Sequence, residues 1–220
     1  MNNKNAIKFF ENISKSKDNN PQSVKLAHNT DCTDLDANFI LQFADKNSNI
    51  LDIGTGSGLI VNKLYDKVNN IVCVEPFANF TKFIVKTPNI EIINKDIFKF
   101  DTDKKFDLIT AFGFIHYFNE EESIEIYKKL LNYLKPNGKI IIKNQFGVEE
   151  DVIVAGYSQE QQTDYFARYG YIEKEKLILK DLGYTDIKSY DIYPPEANRW
   201  DNTHFYAIVA GVDNENKNIK

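Results

Sequence analysis

The chain alternates short apolar runs with amphipathic stretches over most of its 220 residues. The apolar runs have the length of buried strands, and they lie at 49–53, 71–75, 90–93, 107–112 and 139–143. Between them, apolar positions at helical spacing predict helices at about 57–67, 77–86 and 120–134. Strands and helices in this order form a parallel sheet with helices on both faces. The pattern therefore predicts an α/β fold.

The N-terminal region precedes this alternation. Residues 4–13 have the apolar spacing of a short amphipathic helix, and a polar, loop-like stretch follows up to residue 35. Asp34 or Asp36 is placed to cap a further helix that runs to about Lys46. We expect residues 1–35 to form a cap on the domain.

A tyrosine-rich segment at 144–172 interrupts the alternation after the fifth strand. Its residues 158–169 have helical potential. Two interpretations stay open for this segment. Its aromatic side chains either face the core from a helix, or they form a lid-like insertion over a bound substrate.

The C-terminal region predicts two strands without a helix between them. A helix at 173–182, which Gly183 ends, leads to strands at 186–192 and 204–212. Strands joined without a crossover helix pair antiparallel, so a C-terminal hairpin should add an antiparallel strand to the sheet. The connection at 193–203 should then lie on the rim of the site at the carboxyl ends of the parallel strands.

The most informative motif is the glycine-rich turn ILDIGTGSG at 50–58, which follows the first strand. Glycines allow backbone amides to approach a ligand closely, and Glu75 ends the next strand where a ribose diol needs a hydrogen-bond acceptor. The third glycine comes one place earlier than in the dinucleotide pattern, so that Leu59 takes its place. Asp52 would repel a pyrophosphate, whereas it would attract a cofactor with a cationic ammonium and sulfonium.

LDIGTGSG resembles the first motif of the class I methyltransferases that use S-adenosylmethionine. The resemblance continues through Glu75, INKDIFKF at 93–100, FDLITAFGFIHYF at 106–118 and LKPNGKIII at 134–142, in the family's order and spacing. It covers about residues 36–145. It implies a single Rossmann-like methyltransferase domain over residues 1–220.

The resemblance also implies the cofactor, S-adenosylmethionine, and the residues that bind it. These residues are Asp52, Gly54, Gly56, Gly58, Glu75, Pro76, Asp96, Ile97 and Ala111. In the family, the position of Asp96 contacts the adenine amino group, with Ile97 beside the ring. Read alone, Glu75 is also explained as a solvated acid at a strand end, and Asp96 as a turn-capping aspartate.

Composition narrows the class of partner. The net charge of −5 and the pI of about 5.3, without a basic block, argue against a nucleic-acid substrate. The N-terminus lacks the apolar core of a signal peptide and no apolar run reaches about 18 residues, so we expect a cytoplasmic protein that does not enter the membrane. Cys32, Cys73 and the three histidines lack metal-ligand spacing, which predicts no bound metal. The sequence leaves the oligomeric state open.

Two histidines are candidate catalytic bases. His116 lies four residues after the fourth strand, where it can reach the acceptor, although a partly exposed histidine at a helix start explains it equally well. His204 opens the last strand after the rim loop, and we place it slightly ahead of His116 because its neighbours are typical of a binding pocket.

The same regions supply candidate substrate-binding residues. In the rim loop, Arg199 is placed to hold an anionic group, beside Trp200, although a rigid connection with Trp200 folded onto the core is the alternative. Tyr157 belongs to the tyrosine-rich segment, and Asn144 follows the fifth strand.

These patterns predict an enzyme that methylates an oxygen atom of a small molecule or sugar-like metabolite. The fourth-strand sequence AFGF lacks the Asp/Asn-Pro-Pro-aromatic sequence common in enzymes that methylate base amines or glutamine amides. The tail YPPEANRWDNTHFYAIV is similar to segments of bacterial surface-glycan methyltransferases, which makes a phosphorylated or nucleotide-linked glycan precursor a candidate acceptor. The alternatives are N-methylation of a small amine and a non-catalytic, cofactor-binding partner subunit.

Overall fold

The computed structural model describes residues 4–24, 31–159, 162–198 and 200–213. Seven strands form one sheet in the order β3-β2-β1-β4-β5-β9-β8, and β6 and β7 form a separate antiparallel hairpin. The strands are β1 (Asn49–Ile53), β2 (Asn70–Val74), β3 (Ile90–Ile93), β4 (Phe106–Phe112), β5 (Leu134–Gly147), β6 (Val152–Ser158), β7 (Thr163–Tyr169), β8 (Thr185–Tyr190) and β9 (Thr203–Gly211).

Six α-helices lie in the described part of the chain. They are α1 (Lys4–Lys15), α2 (Thr33–Ile40), α3 (Val61–Leu64), α4 (Ala78–Thr81), α5 (Glu120–Leu131) and α6 (Ile172–Asp181). Short 3₁₀ helices occur at Pro21–Val24, Ile115–Tyr117 and Pro195–Ala197. None of the described helices is long and apolar enough to cross a membrane.

The predicted sheet is confirmed. Strands β1 to β5 run parallel, and β9 lies antiparallel between β5 and β8. Both faces are covered: α5 and α6 pack on one apolar cluster that includes Leu51 and Ile140, and α2 and α3 pack on the other with Ile50 and Ile141. Neighbouring residues of one strand thus serve opposite cores, as a doubly covered sheet requires.

The sheet order places a switch point between β1 and β4. The chain moves outward from β1 to β2 and β3, and then returns to the other side of β1 to continue with β4 and β5. At such a point the loops after the two central strands diverge, which opens a crevice at the carboxyl edge of the sheet.

The prediction of helical structure at 158–169 was wrong, because the described residues of this range belong to the β6–β7 hairpin, with Ser158 ending β6 and Thr163–Tyr169 forming β7. Tyr165, Phe166 and Tyr169 have a spacing that fits one face of a helix, but aromatic residues also favour strands. The preceding residues of β6 supply a partner in full register, from Val152 opposite Tyr169 to Ser158 opposite Thr163. A pairing partner therefore decided the conformation.

A buried charge network fixes this hairpin to the helices beneath it. The Arg168 guanidinium on β7 contacts the carboxylates of Glu175 at 2.7 Å and Asp151 at 3.0 Å. Glu175 also accepts a hydrogen bond from the Tyr127 hydroxyl at 2.8 Å. Moving the hairpin would separate these partners and leave a buried charge unpaired, which is energetically costly. The network therefore holds the hairpin in one position.

Two helical predictions need correction in detail. The regular helices α3 and α4 are single turns, shorter than the predicted 57–67 and 77–86. Helix α2 ends at Ile40 instead of Lys46, and neither Asp34 nor Asp36 caps it. Its N-cap position is Cys32, and Asp36 lies within the helix. The Asp36 side chain does not cap the helix, and its carboxylate instead belongs to the site described next.

Candidate functional site

A cavity of about 300 Å³ lies at the carboxyl edge of the sheet. Its walls come from the loops after β1, β2, β3 and β4, from the end of β5, and from Phe205 on β9. Helix α1, helix α2 and the loop after β8 complete them. The cavity thus crosses six neighbouring strands, with apolar and aromatic side chains between a few buried polar groups.

The glycine turn after β1 forms one wall of the cavity. Gly54 and Gly56 line it with backbone φ angles of +71° and +57°, a region that residues with a side chain rarely adopt. A Cβ atom at Gly54 would lie 2.4 Å from the Phe114 side chain. Gly58 serves packing instead, because a Cβ there would lie 2.5 Å from Ile84, and Gly58 is not part of the cavity wall.

Two buried carboxylates face the cavity beside this turn. Asp52 accepts a hydrogen bond from the Thr110 hydroxyl at 2.6 Å. Glu75 accepts from the backbone amides of Gly56 at 3.0 Å and Phe77 at 3.1 Å. Within the described residues, neither carboxylate has a cationic partner. Glu75 therefore both fixes the glycine turn and exposes negative charge to the cavity.

Burial perturbs both acids. Burial raises the pKa of Asp52 to about 6, against the lowering effect of the Thr110 hydrogen bond. Burial also raises the pKa of Glu75 to about 7, with a further contribution from the charge of Asp52. Two like charges without a counter-ion are costly in a buried site, and a cationic ligand would relieve that cost.

The cavity continues from Glu75 towards β3. Pro76, Asp96 and Ile97 line this end. One Asp96 oxygen accepts a hydrogen bond from the Phe98 amide at 2.9 Å, so the side chain caps its turn while it borders the cavity. Ala111, predicted as a further cofactor-binding residue, is fully buried in the core of β4, and Phe112 and Gly113 line the cavity in its place.

His116 lines the cavity after β4. Its Nδ1 lies 3.0 Å from Oδ1 of Asn144 on β5. With this oxygen as the acceptor, the ring carries its proton on Nδ1, and in the neutral form the lone pair is on Nε2. Asn144 itself is 2 % exposed and is not part of the cavity wall, so it orients His116 rather than contacting a ligand.

His204 does not face the cavity, which corrects its placement as the first candidate base. Its ring is held between Asn198, at 2.9 Å from Nδ1, and Asp191, at 2.9 Å from Nε2. Successive residues of a strand point to opposite faces. Because Phe205 faces the cavity, His204 points away from it.

Other predicted substrate-binding residues also lie away from the cavity. The Trp200 side chain is 42 % exposed and its Nε1 donates a hydrogen bond to the Tyr169 hydroxyl at 3.0 Å. Tyr157 is 57 % exposed on β6. Arg199 lies outside the described residues.

The lid predicted at 144–172 covers the cavity only indirectly. None of its described residues lines the cavity. Instead, the ring of Tyr165 packs edge-on against Phe9 of α1 at 5.3 Å, and Phe10 packs against Tyr117 at 4.8 Å. Helix α1 closes the cavity with Ala6, Ile7 and Phe10.

A cluster of three polar side chains was missed in the sequence analysis. The Tyr193 hydroxyl donates to the Asp36 carboxylate, at 2.7 and 2.8 Å from its two oxygens, and accepts from Lys143 Nζ at 2.7 Å. Lys143 and Asp36 are 7 % and 5 % exposed, and all three residues line the cavity. Lys143 ends the fifth strand predicted from the sequence, at the edge of the sheet where the ligand was expected. Its partners Asp36 and Tyr193 lie far away in the sequence.

In the ranges that the structure describes, no group of three or more His, Cys, Asp or Glu side chains is arranged to hold a metal ion. The buried acids of the cavity are instead held by hydroxyl and backbone hydrogen bonds. This donor set fits an organic cation better than a divalent metal ion.

Comparisons with known proteins agree with the motifs. A family model described as a methyltransferase domain matches residues 30–178. An uncharacterized methyltransferase of Staphylococcus carnosus is 27% identical over 146 residues, which cover 61% of this chain and 69% of that protein.

Solved structures share the fold at low sequence identity. The DhpI complex with SAH superposes with a TM-score of 0.70 at 12% identity, covering 94% of this chain and 96% of that one. The N-methyltransferase NodS from Bradyrhizobium japonicum gives a TM-score of 0.64 at 15% identity, covering 94% and 98%. The match to the family model covers more than half of the chain. The chain therefore belongs to the class I S-adenosylmethionine-dependent methyltransferases that its motifs resemble.

Proposed function

We propose that this enzyme transfers the methyl group of S-adenosylmethionine to an oxygen atom of a small, mainly apolar molecule. The observation that carries the proposal is one cavity, which joins the glycine turn and two buried acids at one end to the polar cluster of Asp36, Lys143 and Tyr193 at the other. One end matches the cofactor and the other is available to an acceptor.

The residues at the first end fit the cofactor. The Glu75 carboxylate is placed to accept hydrogen bonds from the ribose hydroxyls, and the Asp52 carboxylate to attract the cationic methionine part. Gly54 and Gly56 have positive φ angles and leave bare backbone along this wall, where amides can approach the cofactor closely. Asp96 and Ile97 border the space for the adenine.

The bound cofactor supplies an activated methyl group, so the protein's task is to align the acceptor and exclude water. Aromatic side chains such as Phe10, Phe112 and Phe114 enclose the cavity on the β4 side. His116 is the candidate that takes the proton of the acceptor, through Nε2, since Asn144 holds its other nitrogen.

The apolar walls make a bare sugar or a phosphorylated glycan precursor a less favoured acceptor than the sequence indicated. The sequence analysis assigned the phosphate contact to Arg199, which lies outside the described residues. Lys143 lines the cavity, but its ammonium group is already paired with Asp36 and Tyr193 and is therefore less available to a phosphate. Methylation of a small amine stays as the second candidate, because NodS, whose fold this chain shares, is named an N-methyltransferase.

The function is tested by incubating the protein with S-adenosylmethionine carrying a labelled methyl group and a panel of phenols, ring amines and sugar phosphates. We expect labelled product from the phenols. Labelling of the amines alone would favour N-methylation. Cofactor binding without transfer to any candidate, but with activity on addition of a second protein, would favour the non-catalytic partner subunit.

Cofactor affinity should depend on pH because both buried acids must ionise to bind a cation and a diol. Their pKa values of about 6 and about 7 lie above the ordinary values, so in the free protein they become protonated as the pH falls through this range. We expect the affinity for S-adenosylmethionine, measured by calorimetry, to fall at least about tenfold between about pH 8 and about pH 5.

The sign for folding is opposite. An acid whose pKa is raised by folding stabilises the folded protein at pH values below its pKa in the unfolded chain, and this contribution is lost as the pH rises through its pKa in the folded protein.

Replacement of Asp52 by Asn should flatten the pH dependence of cofactor binding, because one of the two titrating acids is then absent. An affinity that stays constant over this range in the unmodified protein would contradict the assignment of the two acids.

Turnover should not depend on a metal ion. We expect labelled methyl transfer to continue in the presence of EDTA, because the cavity's acids are held by hydroxyl and amide donors. Activity that EDTA abolishes and magnesium restores would place the chain among metal-dependent O-methyltransferases.

A further inference from the structure

The sheet order separates the cluster of Asp36, Lys143 and Tyr193 from the cofactor end of the cavity. Glu75 follows β2, and Lys143 lies on β5, three strand spacings away in the order β2-β1-β4-β5. At about 4.8 Å per spacing, this is a separation of roughly 14 Å along the cavity. The cluster therefore lies on the acceptor side, next to the end of β4, where Phe112 pairs with Lys143.

The cluster is electrically balanced. The Lys143 ammonium lies 3.5 Å from an Asp36 oxygen, and both charged groups form a hydrogen bond with the Tyr193 hydroxyl. Burial and the Asp36 charge hold the pKa of Tyr193 well above its usual value, so the hydroxyl stays protonated. One cation, one anion and one neutral hydroxyl give no net charge to attract an ionic ligand.

Aromatic rings surround the ammonium. Lys143 Nζ lies 4.6 Å from the ring centre of Tyr193, 5.4 Å from that of Phe112 and 5.6 Å from that of Phe205. All three rings line the cavity. Rings at these distances stabilise the buried charge and also present flat apolar surfaces to a ligand.

We infer that this cluster is the acceptor-recognition site, and that it binds a hydroxyl substituent of an uncharged, planar ring. The Tyr193 oxygen uses its proton on Asp36 and one lone pair on Lys143, which leaves its second lone pair for a hydroxyl donor. The surrounding rings pack against the ring of the acceptor. An anionic acceptor is disfavoured, because it would compete with Asp36 for Lys143 and bring a second negative charge beside it. The inference rests on the proposed function and specifies the class of its acceptor.

The test is a calorimetric titration of the protein, saturated with S-adenosylhomocysteine, with phenol and with phenyl phosphate. These probes share the ring and differ in charge. We expect phenol to bind at least about tenfold more tightly than phenyl phosphate, because only phenol leaves the ion pair intact.

Two variants assign the binding to the cluster. Tyr193→Phe removes the hydroxyl but keeps the ring, and Lys143→Met removes the charge but keeps the length of the side chain. Each should weaken phenol binding at least about fivefold and leave the affinity for S-adenosylhomocysteine within about twofold. Tyr184→Phe is the matched control, since its hydroxyl donates to the Tyr127 carbonyl away from the cavity, and phenol affinity should not change.

Tighter binding of phenyl phosphate, absence of phenol binding, or unchanged phenol affinity in both cluster variants would overturn the inference. Failure of S-adenosylhomocysteine to bind would instead contradict the proposed function. In that case, the same phenol titrations of the unliganded protein would still test the cluster.

Discussion

Replacement of Glu75 by Ala should weaken the binding of S-adenosylmethionine and S-adenosylhomocysteine by about 5- to 150-fold. This corresponds to about 1–3 kcal/mol for buried donors that lose their acceptor. The variant also removes the acceptor of the Gly56 and Phe77 amides, so the glycine turn loses its fixed position. Calorimetric titration with each cofactor form measures the effect.

Glu91→Ala is the matched control for this variant. Glu91 lies on the neighbouring strand β3, where its carboxylate pairs with Lys104 at the surface. Its replacement should leave the cofactor affinity within about twofold, because exposed ion pairs contribute little. Equal affinity of the Glu75 variant and the unmodified protein would remove Glu75 from the cofactor site.

Replacement of His116 by Ala should lower kcat by about 10²- to 10⁴-fold if its Nε2 takes the proton of the acceptor. The affinity for the cofactor should change little, since Asp52 lies on β1 and Glu75 follows β2, whereas His116 follows β4. The decrease of kcat at low pH, where the imidazole is protonated, should disappear in the variant. Steady-state rates across the pH range, with an acceptor identified by labelled methyl transfer, provide the measurement.

His204→Ala is the corresponding control, because His204 is held by Asn198 and Asp191 outside the cavity. Its turnover should stay close to that of the unmodified protein. Loss of turnover in the His204 variant with normal turnover in the His116 variant would reverse this assignment. Normal turnover in both would show that alignment alone suffices for the reaction.

The cofactor half of the site could be predicted because its signals are local. The turn around Gly54 and Gly56 and the acid at position 75 each follow a strand directly, and parallel strands bring their carboxyl ends to one edge. The structure accordingly places Asp52, Glu75, Asp96 and Ile97 around one cavity.

The acceptor half depends on contacts that local patterns do not encode. Tyr193 and Asp36 are 157 positions apart in the sequence, and Tyr193 and Lys143 are 50 apart. Only the packing of α2 and the rim loop against β5 brings them together. A tyrosine after a strand carries no signal of this pairing.

The misplacement of His204 has a different physical cause. Strand β9 is buried on both faces, so that Ala207 and Val209 serve one core while Ile208 and Ala210 serve the other. Because both faces are apolar, the strand lacks the alternation of apolar and polar residues that would show on which face of the sheet His204 lies. The phase was fixed only by pairing with β5.

We expect the cofactor to lie across the ends of β3, β2 and β1, with the acceptor space over β4 and β5. A crystal structure with S-adenosylhomocysteine would locate it. We expect both ribose hydroxyls within hydrogen-bonding distance of the Glu75 carboxylate, the adenine beside Asp96 and Ile97, and the sulfur directed towards Phe112 and Lys143. A bound molecule that leaves Glu75 without a ribose contact, or that occupies the space around Tyr193, would contradict this account.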